Sequence, residues 1–451
     1  MTVTLRYDAG TVELDGEVPP DLPDLLSVPG LERDPRSETV RVPAVRYGDL
    51  RRALDRHGSE YEDRVLSVPS VDVASAYELR EYQRAAFEAW RENGDRGVLE
   101  LPTGSGKTVI GIEAIEALGT AALVVVPTVD LLQQWRRELE TEFSVPVGQF
   151  GGGEQRLEPV TVSTYDSAYL KADDVGDRFG LVVFDEVHHL GGEGYRDIGR
   201  MLAAPARLGL TATFERPDGA HEVVADLVGP LVHRVGVDDL AGEHLADYDI
   251  KRLEVSLTPE EREEYDRHQS TFTDYLATSN IELRSGSDYQ QLVKRSGTDP
   301  RAREALLAKQ RARKVMMSAE RKVAELAAIL GRHRGDRVIV FTAHTDLVYR
   351  LAERFLLPAI THETPTGERR EIIERFRTGE YSRIVTANVL DEGVDVPDAN
   401  VAVVLSGSGS EREFTQRLGR ILRPKADGGR AILYELVAED TAEENVVERR
   451  R

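Results

Sequence analysis

A glycine-rich turn, Thr103-Gly104-Ser105-Gly106-Lys107-Thr108, separates an apolar run at 97–101 from a helical pattern at 107–118. The glycines let the backbone curl so that successive amides point inward, and the following helix presents its positive dipole end. Such a turn suits phosphate. Lys107 can reach β- and γ-phosphates, and the Thr108 hydroxyl can hold Mg²⁺. This geometry needs a strand that feeds straight into a helix, so the chain must carry an α/β layer here. The usual spacing places a glycine six residues before the lysine, where this chain has Leu101. The Gly-Ser-Gly-Lys-Thr core is intact, and its strand and helix context favours the phosphate reading over an inert turn.

The surrounding pattern agrees. Between 73 and 237, β-branched runs at 97–101, 121–126, 160–163, 181–184 and 207–210 alternate with helical stretches at 107–118 and 130–143. Alternation of this kind predicts a parallel sheet covered on both faces. Residues 250–323 read as mostly helical, with a helix start at Thr258-Pro259-Glu260-Glu261 and breaks at 284–288 and 297–300. Alternation resumes after 324, with strands at 338–341, 384–386, 401–405 and 431–436. Residues 1–70 hold seven of the 20 prolines. Their segments 3–7 and 11–14 alternate about Asp8-Ala9-Gly10, predicting a hairpin with a three-residue loop, and 48–57 reads as a short helix. The expected domains are therefore 1–70, 71–237, 250–323 and 324–451.

Two further constellations carry chemistry. Val182-Val183-Phe184-Asp185-Glu186-Val187-His188 is an apolar strand ending in two carboxylates. Ligands bind at that end of strands in such sheets. Asp185 is the candidate Mg²⁺ ligand and Glu186 the candidate base for an attacking water, while His188 suits polar coupling. In the last alternating segment, Gln416, Arg420 and Arg423 share a stretch in which the two arginines, three apart, face the same way on a helix. Such arginines can stabilise charge on a γ-phosphate or simply line a solvated face. Gly419 within that helix favours close approach to something.

Taken in order, these elements resemble superfamily 2 helicases over residues 73–436. The matching stretches are Leu79-Arg80-Glu81-Tyr82-Gln83, the phosphate loop, Val126-Pro127-Thr128, Asp185 to His188, Leu210-Thr211-Ala212-Thr213, Val340-Phe341-Thr342, Thr386 to Asp395, and Gln416 to Arg423. The resemblance implies two RecA-like parallel-sheet domains that hold ATP. It implies that Gln83 reads adenine, that Gly393 and Asp395 line the nucleotide site, and that Thr211, Ala212 and Thr213 couple hydrolysis to motion. It places Thr128, Ser163, Thr164, Thr342, His344 and Thr386 along single-stranded nucleic acid.

The Leu-Arg-x-Tyr-Gln and Asp-Glu-Val-His-His stretches, with a helical insertion, are similar to the XPB group of repair and transcription helicases in its short archaeal form. That resemblance implies a small N-terminal α+β DNA-recognition-like domain, a helical thumb, 3′ to 5′ polarity and a nuclease partner. The group's charged Arg-Glu-Asp element corresponds to Glu215-Arg216-Pro217-Asp218, where proline replaces the middle acid. The strand-separating role of that element therefore does not carry over directly.

Charge first points the other way. The chain carries 80 acidic and 58 basic residues, a net charge of −22, whereas phosphate binding calls for a basic surface. Residues 294–323 reverse the sign, with ten basic against three acidic side chains, a net of +7. Arg311, Arg313 and Lys314 lie in this run, which suits backbone contact with DNA. The alternative is a helix balanced by the acids of 260–266. Only eight lysines occur beside 50 arginines. An acidic, lysine-poor surface reads as adaptation to a salt-rich cytoplasm, or as the mark of a GC-rich genome.

No cysteine is present, which excludes disulfides, thiol catalysis and cysteine-ligated metals. No apolar stretch of about 18 residues or signal-peptide pattern is found, so cytoplasm is the expected compartment. The expected function is an ATP-dependent DNA helicase or translocase acting in repair or transcription. An RNA helicase, or an ATP-switched clamp that remodels without unwinding, are the alternatives.

Overall fold

The computed structural model describes residues 3–34, 39–102, 104–192, 194–215, 219–236, 248–279, 281, 286–387, 399–405 and 431–443. Two units emerge, one on residues 1–245 and the other on 246–391 and 396–451.

The first unit contains an eight-stranded sheet. Its order is Leu231–Arg234, Arg96–Glu100, Ala206–Thr211, Leu181–Asp185, Ala122–Val126, Val160–Thr164, Val147–Gly151 and Glu154–Arg156. All neighbours are parallel except the last pair. Successive strand residues feed opposite cores. Ala122, Val124, Val126, Leu181 and Val183 pack on one face with Trp90, Trp135 and the helix Lys107–Leu118. Leu123, Val125, Val182 and Phe184 pack on the other. This double burial is why the strands read as continuous apolar runs. Between the strand before the phosphate loop and the strand ending in Asp185 lies only Ala206–Thr211. Phosphate loop, carboxylates and Thr211 therefore emerge side by side at the strands' carboxyl ends.

A five-stranded sheet, Glu32–Arg33, Val40–Pro43, Thr11–Asp15, Val3–Asp8 and Tyr61–Arg64, packs on the helix Tyr47–His57 in the same unit. The hairpin loop has two residues, not three. Asp8 pairs with Thr11, and Ala9 and Gly10 take φ of 42° and 86°. Two positive φ values match the right-handed twist of the flanking strands, which lets the shorter loop win. The sheet docks firmly on its neighbour. Tyr7 donates its hydroxyl to the Met201 carbonyl at 3.0 Å, Ser67 N–H bonds to Asp177 O at 3.2 Å, and Ala203 enters the small sheet's core.

The second unit holds a six-stranded parallel sheet: Tyr248–Val255, Ala431–Ala438, Val401–Val404, Val338–Thr342, Arg383–Ala387 and Ala359–Ile360. Here the structure departs from the expected helical stretch. Tyr248–Val255 is an eight-residue edge strand. Its interleaved charges and an Ile250 that is 60% exposed hide it from an apolar-run reading. The chain then leaves the sheet as three helices, Pro259–Thr278, Gly286–Ser296 and Pro300–Met317. Thr258 and Glu261 form a reciprocal capping box at the first. The helix Glu320–Arg332 returns to the sheet, burying Val323, Leu326, Ile329 and Leu330 against Val338 and Val340.

Candidate nucleotide and nucleic-acid site

At the carboxyl ends of the first unit's parallel strands, Gly106 opens the helix Lys107–Leu118 with φ 76°. A Cβ there would be strained at this φ and would lie 2.5 Å from Gln83 Nε2, displacing the Gln83 amide. Tyr82 and Gln83 both donate to the Ser105 carbonyl at 2.7 Å, and Gln83 Oε1 accepts from Arg80 N at 2.9 Å. These bonds hold the loop open at its base. Gln83 is 3% exposed, so its amide here braces the loop, and reading adenine would require these bonds to be exchanged.

Lys107 Nζ lies 3.3 Å from the Leu101 carbonyl and 3.7 Å from Glu186 Oε1. Glu186 Oε2 is 3.6 Å from His188 Nδ1, which is 3.3 Å from Thr211 Oγ1. Thr211 Oγ1 donates to the Thr213 carbonyl and accepts from Thr213 N–H. A line of polar contacts thus runs from the phosphate loop through both carboxylate-bearing and threonine-bearing strand ends. Glu186 itself has φ 47°. A left-handed glutamate is costly, and such strain is found where a side chain must be aimed. Asp185 Oδ1 accepts from Glu186 N–H at 3.0 Å, and Oδ2 from the Trp135 indole at 2.8 Å.

The site suits a nucleotide triphosphate with a divalent cation. Ser105 Oγ is buried and has no hydrogen-bond partner among the described residues, an orphan that a bound phosphate or its hydration would satisfy. Thr108, one residue past Lys107, and Asp185 supply the hydroxyl and carboxylate oxygens that hard cations prefer. Among the described residues no cluster of three or more His, Asp or Glu could hold a metal by itself. Gly104 belongs to the same turn, with φ 78°.

The residues expected along nucleic acid divide into two groups. Thr128 and Thr164 cap helices, accepting from Leu131 N–H at 3.2 Å and Ser167 N–H at 3.3 Å. Ser163, Thr342 and Thr386 are fully buried. Ser163 and Thr386 donate to the next residues' carbonyls, so in this structure these hydroxyls brace strand ends and do not face solvent. In the second unit, Arg313 and Lys314 lie near His344, which precedes the helix Thr345–Phe355. Burial, then the two cations, hold the His344 imidazole below its ordinary range. Its buried Nε2 has no hydrogen-bond partner among the described residues. Lys314 reaches Asp346 at 2.7 Å, and Arg311 is exposed.

The basic run is not uniformly solvent-facing. Lys309 sits over Phe272 and Tyr289, 4.9 and 4.5 Å from the ring centres, and Lys322 is fully buried. No ion pair among the described residues joins the run to the acids of 260–266, although Glu320 N–H donates to Glu261 Oε1 at 2.8 Å. Thr103, Gly393, Asp395, Gln416, Arg420 and Arg423 lie outside the described residues, as do Arg216, Pro217 and Asp218. Ala212 is described and partly buried. Sequence reading missed Tyr82, Trp135, Tyr165 and Glu100. Glu100 accepts from Phe214 N–H at 3.2 Å and pairs with Arg234 at 3.2 Å, tying the phosphate-loop strand to the exit of Thr211–Thr213. Tyr82 stands beside Gln83 in Leu79-Arg80-Glu81-Tyr82-Gln83, and Trp135 is one of two tryptophans. Nothing in their spacing announced a partner.

Three family models match this chain. Residues 5–65 match the Xeroderma pigmentosum group B helicase damage recognition domain. Residues 76–216 match the type III restriction enzyme res subunit, and 302–451 the ERCC3/RAD25/XPB C-terminal helicase. Over its whole length and that of the relative, the chain is 42% identical to a protein named DNA 3′-5′ translocase XPB2 from Sulfurisphaera tokodaii. It is 33% identical, over 81% of its own length and 61% of the relative's, to a DNA 3′-5′ helicase XPB of Mycobacterium tuberculosis. Among solved structures, the Pyrococcus furiosus Hef helicase domain superposes with a TM-score of 0.53 at 19% identity, covering 82% of this chain and 98% of that one. That likeness bears out the expected helicase-type α/β architecture.

Proposed function

Because this chain belongs to the XPB family of DNA helicases, we propose that it is an ATP-driven DNA translocase that separates strands with 3′ to 5′ polarity, in DNA repair, transcription or both. The observation that carries this reading is the continuous contact line Lys107, Glu186, His188, Thr211. It links the group that holds phosphate to the group that would feel its loss.

In the proposed reaction the amides of residues 104–108 and Lys107 hold the β- and γ-phosphates. Mg²⁺, held by Thr108 and Asp185, would neutralise charge on the phosphate oxygens. Glu186 orients a water against the γ-phosphorus and takes its proton, so the bond to ADP breaks as the new P–O bond forms. The Glu186 carboxylate, once protonated, no longer pairs with His188 in the same way, and Thr211 to Thr213 register the change. Gln416, Arg420 and Arg423 are the proposed source of positive charge for the γ-phosphate.

Arg311, Arg313, Lys314 and His344 are the proposed contacts to the DNA backbone, supported by the exposure of Arg311, Arg313 and Lys314 and by the two cations beside His344. Replacing Arg311, Arg313 and Lys314 by glutamine is expected to weaken DNA binding and flatten the slope of log affinity against log salt by about two to three. Fluorescence anisotropy over a KCl series measures this, and an unchanged slope assigns the contacts elsewhere.

We further infer a salt-rich cytoplasm as the working environment, supported by the charge of −22 and the scarcity of lysine. Melting temperature and ATP turnover should both rise from dilute buffer to about molar KCl, where the screening length is about 3 Å. An optimum in dilute buffer would remove that inference and leave the helicase reading standing. The resemblance to short archaeal XPB proteins supports a nuclease as the proposed protein partner.

Strand displacement tests the main proposal. With ATP, a duplex carrying a 3′ single-stranded tail should be opened and one with a 5′ tail left intact. The reverse preference overturns the polarity, and opening of neither substrate overturns strand separation.

A further inference from the structure

Two helices of the first unit begin at threonines assigned above to the nucleic-acid path. Thr128 caps Val129–Glu142, and Thr164 caps Tyr165–Lys171. Each helix sends one buried aromatic side chain to the same acidic residue. Trp135, in the second turn of the first helix, donates its indole N–H to Asp185 Oδ2 at 2.8 Å. Tyr165, the opening residue of the second, donates its hydroxyl to the Asp185 backbone carbonyl at 3.1 Å. The two side chains are 0% and 1% exposed.

Packing alone does not explain this pair. An apolar side chain would fill either space, and a buried indole or phenol needs only some acceptor. Here both acceptors belong to the residue proposed to hold the cation. Trp135 is also wedged against the phosphate-loop helix. A Cβ on Gly111 would lie 2.6 Å from its ring, so glycine there makes room for the indole. The Tyr165 ring lies 6.5, 5.7 and 5.3 Å from those of Phe184, His189 and Tyr195, next to Asp185 and His188. Close-packed cores transmit small displacements, because side chains have no slack to absorb them. A hydrogen bond weakens steeply when its angle opens. Movement of either helix, gripped at its threonine cap, therefore changes how the Asp185 carboxylate is aimed.

We propose that Trp135 and Tyr165 are positioning residues that convert occupancy of the two helix caps by nucleic acid into the orientation of Asp185. The inference rests on the proposed function. It adds a specific route by which the polymer switches on hydrolysis: Thr128 and Thr164 sense the strand, Trp135 sets the Asp185 carboxylate, and Tyr165 holds the backbone carbonyl that carries it.

Trp135→Phe and Tyr165→Phe test this in the full chain. Tyr165→Phe removes a single oxygen and keeps the ring, so it reports even where Trp135→Phe lowers solubility. Each variant should keep its apparent ATP affinity and lose stimulation of turnover by single-stranded DNA, about tenfold for Trp135→Phe, whose bond goes to a carboxylate, and about threefold for Tyr165→Phe, whose bond goes to a neutral carbonyl. A purely structural role would lower the melting temperature without changing the ratio of stimulated to basal turnover. A second readout needs no nucleotide or metal. Trp90→Phe leaves Trp135 as the sole tryptophan, because the chain has two, and its emission should shift when an oligonucleotide binds. An unchanged stimulation ratio in both variants, or an emission indifferent to DNA that anisotropy shows to be bound, overturns the coupling alone. A wild-type enzyme that DNA does not stimulate overturns the proposed function and the coupling together.

Discussion

Replacing Glu186 by glutamine is expected to leave ATP binding near the wild-type level and to lower turnover by about a hundredfold or more, the contribution of a positioned general base. Glutamine has nearly the same shape and can still meet His188, but it cannot take a proton from water. The backbone already marks the residue. A glutamate at φ 47° is retained only where the surrounding structure over-determines it. Its carboxylate lies between Lys107 and His188, 3.7 and 3.6 Å away. Nucleotide binding by equilibrium titration and phosphate release under single-turnover conditions separate the two effects. Retained turnover removes Glu186 from the role of base. Equal losses of binding and turnover make it a structural partner of Lys107.

The second large effect concerns stability. Lys322 is fully buried and pairs with Glu443 at 2.6 Å. It also donates to the Leu405 carbonyl at 2.7 Å. Burial pushes its ammonium down, and Glu443 opposes that shift. Glu443 also accepts from Ala438 N–H at 2.9 Å. This one ammonium thus ties the helix Glu320–Arg332 to the ends of the strands Val401–Val404 and Ala431–Ala438. Lys322→Met should cost about 3–5 kcal/mol, because it strands a buried carboxylate. Urea unfolding of the second unit's transition measures it. Adding Glu443→Gln should recover part of the loss, since no unpaired charge then remains. A single substitution costing under about 1 kcal/mol would show that water reaches the pair.

The phosphate loop, the Asp185-Glu186 pair and the parallel-sheet architecture were legible because their signals are local. Glycine at Gly106, lysine beside it and an apolar run before it suffice to imply strand, turn and helix. The start of the helical segment was equally local, as Thr258, Pro259 and Glu261 show, whereas the break expected at 284–288 overlaps the helix Gly286–Ser296. What escaped depended on tertiary partners. Tyr248–Val255 became a strand only because Ala431–Ala438 offers it an edge. Ser163, Thr342 and Thr386 carry hydroxyls of the right type, but the sheet buries them. Lys309 and Lys322 counted as positive surface in the sequence, and the fold turned one onto two aromatic rings and the other into an internal ion pair. Trp135 and Tyr165 look like ordinary core in the sequence, and only the fold brings their polar tips to Asp185. Sequence spacing identifies which chemistry a segment carries. It does not show which side of the sheet a polar tip will meet.

ATP turnover with single-stranded DNA and with RNA of the same sequence, at matched ionic strength, separates a DNA-driven motor from its alternatives. Strong stimulation by DNA, little by RNA, and none in Glu186→Gln with either is the expected result. Equal or greater stimulation by RNA, or turnover indifferent to both polymers, would contradict it.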